Sequence, residues 1–129
     1  MSSKPQIVTP IKRAEGLGSA HDGLHHWLSL RISSIALIPL CAWFIISVIR
    51  LTRTDHAHLL EFFHSPVNAV LMALLVAFSF YHAVLGLQEV VEDYVHSKFK
   101  KAVSLLVIRF GLLGLGAITI LSIIKMHLA

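Results

Sequence analysis

The chain has 129 residues, 56% of them hydrophobic and only 14% charged, with a formal net charge of +4. A soluble domain of this size needs a more polar surface, so the expected solvent is lipid and the expected organisation a single domain. The basic residues stand in short clusters beside apolar stretches, which suits anionic lipid head groups, and nothing resembles a stripe that would follow RNA or DNA.

Residues 1–24 read as a polar tail, made irregular by Pro5, Pro10, Gly16 and Gly18. The Gly16–Gly18 pair is no dinucleotide fingerprint, because no strand precedes it. The first apolar run begins only near Ile32, too late for a secretory signal with a short charged region before its core. That run spans about 32–49 and contains Pro39, which should bend a helix within a packed bundle. It also holds the only cysteine, Cys41, which can form no intrachain disulfide and reads as a small packing residue.

The segment from Arg50 to Pro66 is a connector with some amphipathic character in its LLEFF run. A second apolar run covers about 67–87, and a short basic connector follows from Val95 to Lys101. The third run covers about 102–124. Each run is near the roughly 20 residues that cross a hydrocarbon core of about 30 Å, and backbone in lipid must satisfy itself locally. The expected fold is therefore an all-α integral membrane protein with three transmembrane helices.

Lys4, Lys12, Arg13, Arg31, Lys98, Lys100 and Lys101 lie towards one side, against Arg50, Arg53 and Lys125 on the other. Seven against three favours the N-terminus and the second connector on the cytoplasmic (or matrix-like) side, with the C-terminus expected outside.

Of nine histidines, only His82 lies deep inside a span. An ionisable group at that depth needs a partner or a function, and neutral imidazole is a common axial ligand to haem iron. The plainer reading is a histidine hydrogen-bonded to a neighbouring helix. Gly86, at i+4 on the same face, would leave room for a flat macrocycle bound to the imidazole, or would let two helices approach. Glu89, Glu92 and Asp93 mark where that helix leaves the membrane. Tyr94 follows at about 18 Å beyond His82 along an unbroken helix. Its hydroxyl could donate to a quinone carbonyl while the ring stays in the apolar layer, or the ring could be an ordinary interfacial anchor.

The run His82-Ala-Val-Leu-Gly86-Leu-Gln-Glu-Val-Val-Glu-Asp93-Tyr94 resembles the hydrophobic membrane anchor subunit of succinate dehydrogenase, the smaller D-type chain. The segment Gly23-Leu-His25-His26-Trp27-Leu-Ser-Leu-Arg31-Ile-Ser33 is similar to the alpha-proteobacterial and mitochondrial-like members. The resemblance implies that His82 is an axial ligand of haem b and so a ligand of its iron. It implies ubiquinone at Tyr94, with Asp93 beside that site, and Arg31 near the haem propionates. It leaves His25 and His26 undecided for a propionate. It further implies three partner chains: a second membrane anchor of cytochrome b type that shares the bundle, an iron–sulfur subunit and a flavoprotein subunit. The expected location is the inner (cytoplasmic) membrane.

Two features of the residues agree with a subunit. A six-coordinate b haem commonly uses two histidines, yet one lies at membrane depth here. Nothing in the chain could bind flavin, an iron–sulfur cluster or a dicarboxylate, so electrons must come from partners. The alternatives are a structural anchor of a related fumarate reductase or succinate dehydrogenase without haem ligation, and a small transporter subunit using His82 as a proton relay. Three spans without paired intramembrane carboxylates make a poor transport pathway. His56, His58 and His64 read as part of a solvated connector. Arg109, about two turns into the third span, is expected to snorkel, with a propionate or carboxylate as the other partners considered.

Overall fold

A computed structural model of the chain describes residues 18–129, with side chains described from Gly23 onward. Four helices follow in order: α1 (Gly18–Leu51), α2 (His56–His64), α3 (Pro66–Tyr94) and α4 (Lys98–Leu128). Among the described residues, every regular element is an α-helix. Pro5, Pro10, Gly16, Lys4, Lys12 and Arg13 lie outside the described residues.

The three long helices contain 34, 29 and 31 residues, more than a bilayer core requires, and each is apolar enough to cross a membrane. The hydropathic cores foreseen at 32–49, 67–87 and 102–124 are thus the middles of longer helices. The difference lies at the polar ends: α1 already begins at Gly18, inside the segment expected as tail. α3 runs on through the acidic turn to Tyr94. Hydropathy marks where a helix is in lipid; the helix itself goes on while its backbone bonds can be made.

Local chemistry explains the boundaries. Ser65 is extended, with φ −65° and ψ 121°, and Pro66 opens α3 at a position where its missing N–H costs nothing. Only Ser65 separates α2 from α3, so the chain turns sharply there. Residues 95–97 separate α3 from α4, a link short enough to make the two helices antiparallel neighbours. Pro39 lies within the continuous α1.

α3 is the central helix, packed against α1 on one side and α4 on the other, with α2 against α3 and α4. Among the described residues little is buried: Leu75, Val91, Ile123, Ser33, Ser47 and Gly116. Ile32, Ile35, Ile38, Leu113, Ile118 and Leu121 are exposed instead. In lipid such a surface carries no penalty, and helix contacts rest on close packing and polar bonds rather than on hydrophobic burial. Gly116 shows the packing: a methyl at its Cα would lie 3.4 Å from Phe80 Cγ, so α3 and α4 close over a small residue. α2 is fixed by a Trp43–Phe62 stack at 5.9 Å and by the His127 Nδ1–H, which donates to the Phe63 carbonyl at 3.0 Å.

Candidate functional site

His82 sits on α3, partly buried where that helix meets α1. Its Nδ1 is 2.9 Å from the hydroxyl oxygen of Ser33, a residue only 1% exposed. The sequence left two readings for His82, and the plainer one is realised: its Nδ1 is hydrogen-bonded to a neighbouring helix. No described residue hydrogen-bonds the other nitrogen, Nε2. Gly86, one turn further along α3, has nothing within 4 Å of where a Cβ would stand. It is therefore not a helix–helix contact within this chain, as Gly116 is. An imidazole with one nitrogen tethered and the other free, above a glycine that leaves open space, fits a flat, nitrogen-liganded group such as haem.

α3 continues unbroken from His82 to Tyr94, so the expected axial separation of about 18 Å holds. Tyr94 is 78% exposed and Asp93 is exposed beside it, at the end of the helix. Arg31 is exposed on α1, with its guanidinium 5.1 Å from the centre of the Trp27 ring. This cation–π contact orients the guanidinium along α1. His25 is exposed, whereas His26 turns towards α3 and places Nε2 3.2 Å from Glu89 Oε1. That approach is off the line a hydrogen bond requires, since His26 Nε2 has no hydrogen-bond partner. We read the pair as a contact between helices rather than a formed hydrogen bond.

Two features lay beyond sequence reasoning. Ser33 was visible only as a small residue in a motif; its role as the partner of His82 needs a contact between residues 49 apart. Arg109 does not simply snorkel: its Nη2 donates to Gln88 Oε1 at 3.0 Å, and Gln88 Nε2 donates to Glu92 Oε1 at 2.9 Å. A neutral amide thus links the arginine of α4 to a carboxylate of α3, in place of the direct ion pair considered. Arg109 also borders a lateral groove of about 510 Å³ between α3 and α4, lined by Phe80, Tyr81, Leu112, Leu113 and Gly116. His56, His58 and His64 lie exposed on α2.

The family model described as Succinate dehydrogenase/Fumarate reductase transmembrane subunit matches residues 6–122. The chain is 34% identical over 128 residues to the succinate dehydrogenase hydrophobic membrane anchor subunit of Paracoccus denitrificans, covering 90% of this chain and 99% of that one. It is 32% identical over 108 residues to the subunit of the same name from Rickettsia bellii, covering 83% and 86%. The corresponding Rickettsia conorii subunit is 36% identical over 86 residues, covering 66% and 68%. No solved structure matches the chain. With three helices able to span a membrane and a match along nearly its whole length, the chain belongs to the succinate dehydrogenase/fumarate reductase transmembrane subunit family, beside the hydrophobic membrane anchor subunits of alpha-proteobacteria.

Proposed function

We propose that this chain anchors a succinate:quinone oxidoreductase in the cytoplasmic membrane and supplies one axial ligand to haem b from His82. The observation that carries the haem reading is the state of that one side chain. Ser33 engages Nδ1, Nε2 has no described partner, and Gly86 leaves open space a turn away. Gly23, Gly111 and Gly114 have the same clearance, so what sets Gly86 apart is its place one turn from His82 on the same helix face. Haem, when bound, supplies a one-electron redox centre within the bundle. A second ligand would come from a partner anchor of cytochrome b type, which would also cover part of the exposed apolar surface. Arg31 would face a propionate, where a guanidinium can bind a carboxylate through two parallel hydrogen bonds.

Ubiquinone is assigned to the end of α3. There Tyr94 offers a hydroxyl donor and Asp93 a carboxylate that can orient it, at the same end of the bundle as Lys98, Lys100 and Lys101. Electrons would reach this end from an iron–sulfur subunit that receives them from a flavoprotein oxidising succinate. The names of the relatives support the assembly, and the placement of Tyr94 supports the site.

The haem assignment is tested in the purified complex by a reduced-minus-oxidised visible spectrum. His82→Ala should abolish or shift the b-type bands, and Gly86→Leu should do so by filling the space beside the imidazole. An assembled His82→Ala complex with an unchanged low-spin spectrum overturns the assignment.

A further inference from the structure

We infer that Ser33 is a positioning residue for His82: its oxygen accepts the Nδ1–H of the imidazole, fixing the tautomer in which Nε2 carries the free lone pair. This rests on the haem reading above and adds the residue that prepares the ligand.

A serine hydroxyl has one hydrogen and two lone pairs. In this structure the Ser33 hydroxyl donates to the Leu30 carbonyl, three residues back on α1, at 2.9 Å. With its hydrogen on the Leu30 carbonyl, the oxygen that stands 2.9 Å from His82 Nδ1 is left to accept, and the ring proton is assigned to Nδ1. A neutral imidazole carries one ring proton, so Nε2 is then unprotonated and able to bind a metal. The other hydroxyls bonded within the spans behave differently. Ser34, Ser47, Thr119 and Ser122 each donate to a carbonyl four residues back on their own helix. Ser33 alone among these bonded hydroxyls also reaches a second helix. It is also the most deeply buried side chain described, at 1% exposure, so water does not compete for its lone pair.

The pairing has two consequences. It sets the rotation of the imidazole about its Cβ–Cγ bond, because the ring is held at Nδ1 from α1 while its backbone belongs to α3. It also raises the donor strength of Nε2, since a ring N–H that is hydrogen-bonded to an acceptor makes the opposite nitrogen more basic. A more basic ligand favours ferric over ferrous iron. Loss of the acceptor therefore shifts the haem midpoint potential in the positive direction. Partners of this kind typically change metal affinity by about 10–100-fold.

The test uses the whole complex purified in mild detergent, with wild-type, Ser33→Ala, Ser33→Thr, Ser33→Cys and His82→Ala chains. Redox titration of the visible haem bands and the rate of haem transfer to an excess of apo-globin are read for each. Ser33→Ala should raise the midpoint potential and speed haem loss by about tenfold or more. Ser33→Thr, which keeps the hydroxyl, should stay near wild type. If Ser33→Ala does not assemble, Ser33→Cys serves in its place, because the thiol fills the space while accepting only weakly; a shift in the same direction is expected. An unchanged or lowered potential together with an unchanged rate of haem loss in Ser33→Ala, or in Ser33→Cys where it stands in, overturns the role of Ser33. A His82→Ala complex that keeps the wild-type spectrum overturns instead the haem reading on which it rests.

Discussion

Tyr94 and His82 share one helix but stand in different environments. His82 is partly buried and tethered, whereas Tyr94 is 78% exposed at the end of α3. Exposure of that degree within one chain suits either a ring lying at the lipid interface or a hydroxyl waiting for a ligand. Tyr94→Phe separates the two, since it keeps the ring and removes only the donor. A neutral hydrogen bond contributes a net ~0.5–1.5 kcal/mol, and more once negative charge develops on the quinone oxygen during reduction. Quinone reduction should slow by about tenfold or more, because each 1.36 kcal/mol at the transition state is roughly a factor of ten. Succinate oxidation with a soluble artificial acceptor should stay near normal. Quinone reduction at the wild-type rate would leave Tyr94 as an anchor. The spacing of these two residues was legible in the sequence, because a helix converts residue number directly into distance. What Ser33 and Gln88 do was not legible. Their partners come from other helices, and no periodicity within one segment encodes which rotation of α1 or α4 faces α3.

The elements repeat that division. Spans could be located because lipid imposes a length and an apolar composition on each of them. α2 could be suspected only from the amphipathic LLEFF run, since a helix of nine residues is not dictated by its own sequence. It is held by contacts from elsewhere: the Trp43–Phe62 stack and the bond from His127 to the Phe63 carbonyl. The acidic end of α3 and the basic start of α4 both oppose the helix dipole, with Glu89, Glu92 and Asp93 at a C-terminus and Lys98, Lys100 and Lys101 at an N-terminus. Local helix stability does not account for these charges, whereas the proposed membrane orientation and docking of soluble partners would. Packing between α3 and α4 depends on Gly116, where an added Cβ would already touch Phe80 at 3.4 Å. Gly116→Ala should be tolerated. Gly116→Leu must displace Phe80 or part the helices, at a cost of about 1–3 kcal/mol typical of overpacking. A lowered midpoint in thermal unfolding of the detergent-solubilised complex is the expected readout, and Gly111→Leu is the control, because nothing lies within 4 Å of a Cβ there. Equal effects at both positions would show that Phe80 does not set the approach.

At the scale of the whole molecule, three spanning helices put the two ends of the chain on opposite sides of the membrane. One face of the bundle gathers the start of α1, the end of α3 and the start of α4, and so Tyr94, Asp93 and the three lysines after them. The other gathers the end of α1, α2 and the end of α4, with Arg50, Arg53 and Lys125. We propose that the first face is cytoplasmic, on the seven-to-three excess of lysine and arginine counted along the sequence, because basic segments resist translocation. This orientation also decides whether the quinone assignment is workable, since a soluble electron donor can reach Tyr94 only from the side on which it is made. Single cysteines at Ser3 and at Ala129, in a Cys41→Ala background, can be probed with a membrane-impermeant thiol reagent in right-side-out and inverted vesicles. The Ser3→Cys chain should label only in inverted vesicles and the Ala129→Cys chain only in right-side-out ones. Labelling of both ends from one side would contradict three spans. A clean reversal would keep the spans but carry Tyr94 to the outer face, away from any cytoplasmic donor, and the quinone site would then have to be sought near Arg50 and Trp43, at the opposite end of the bundle.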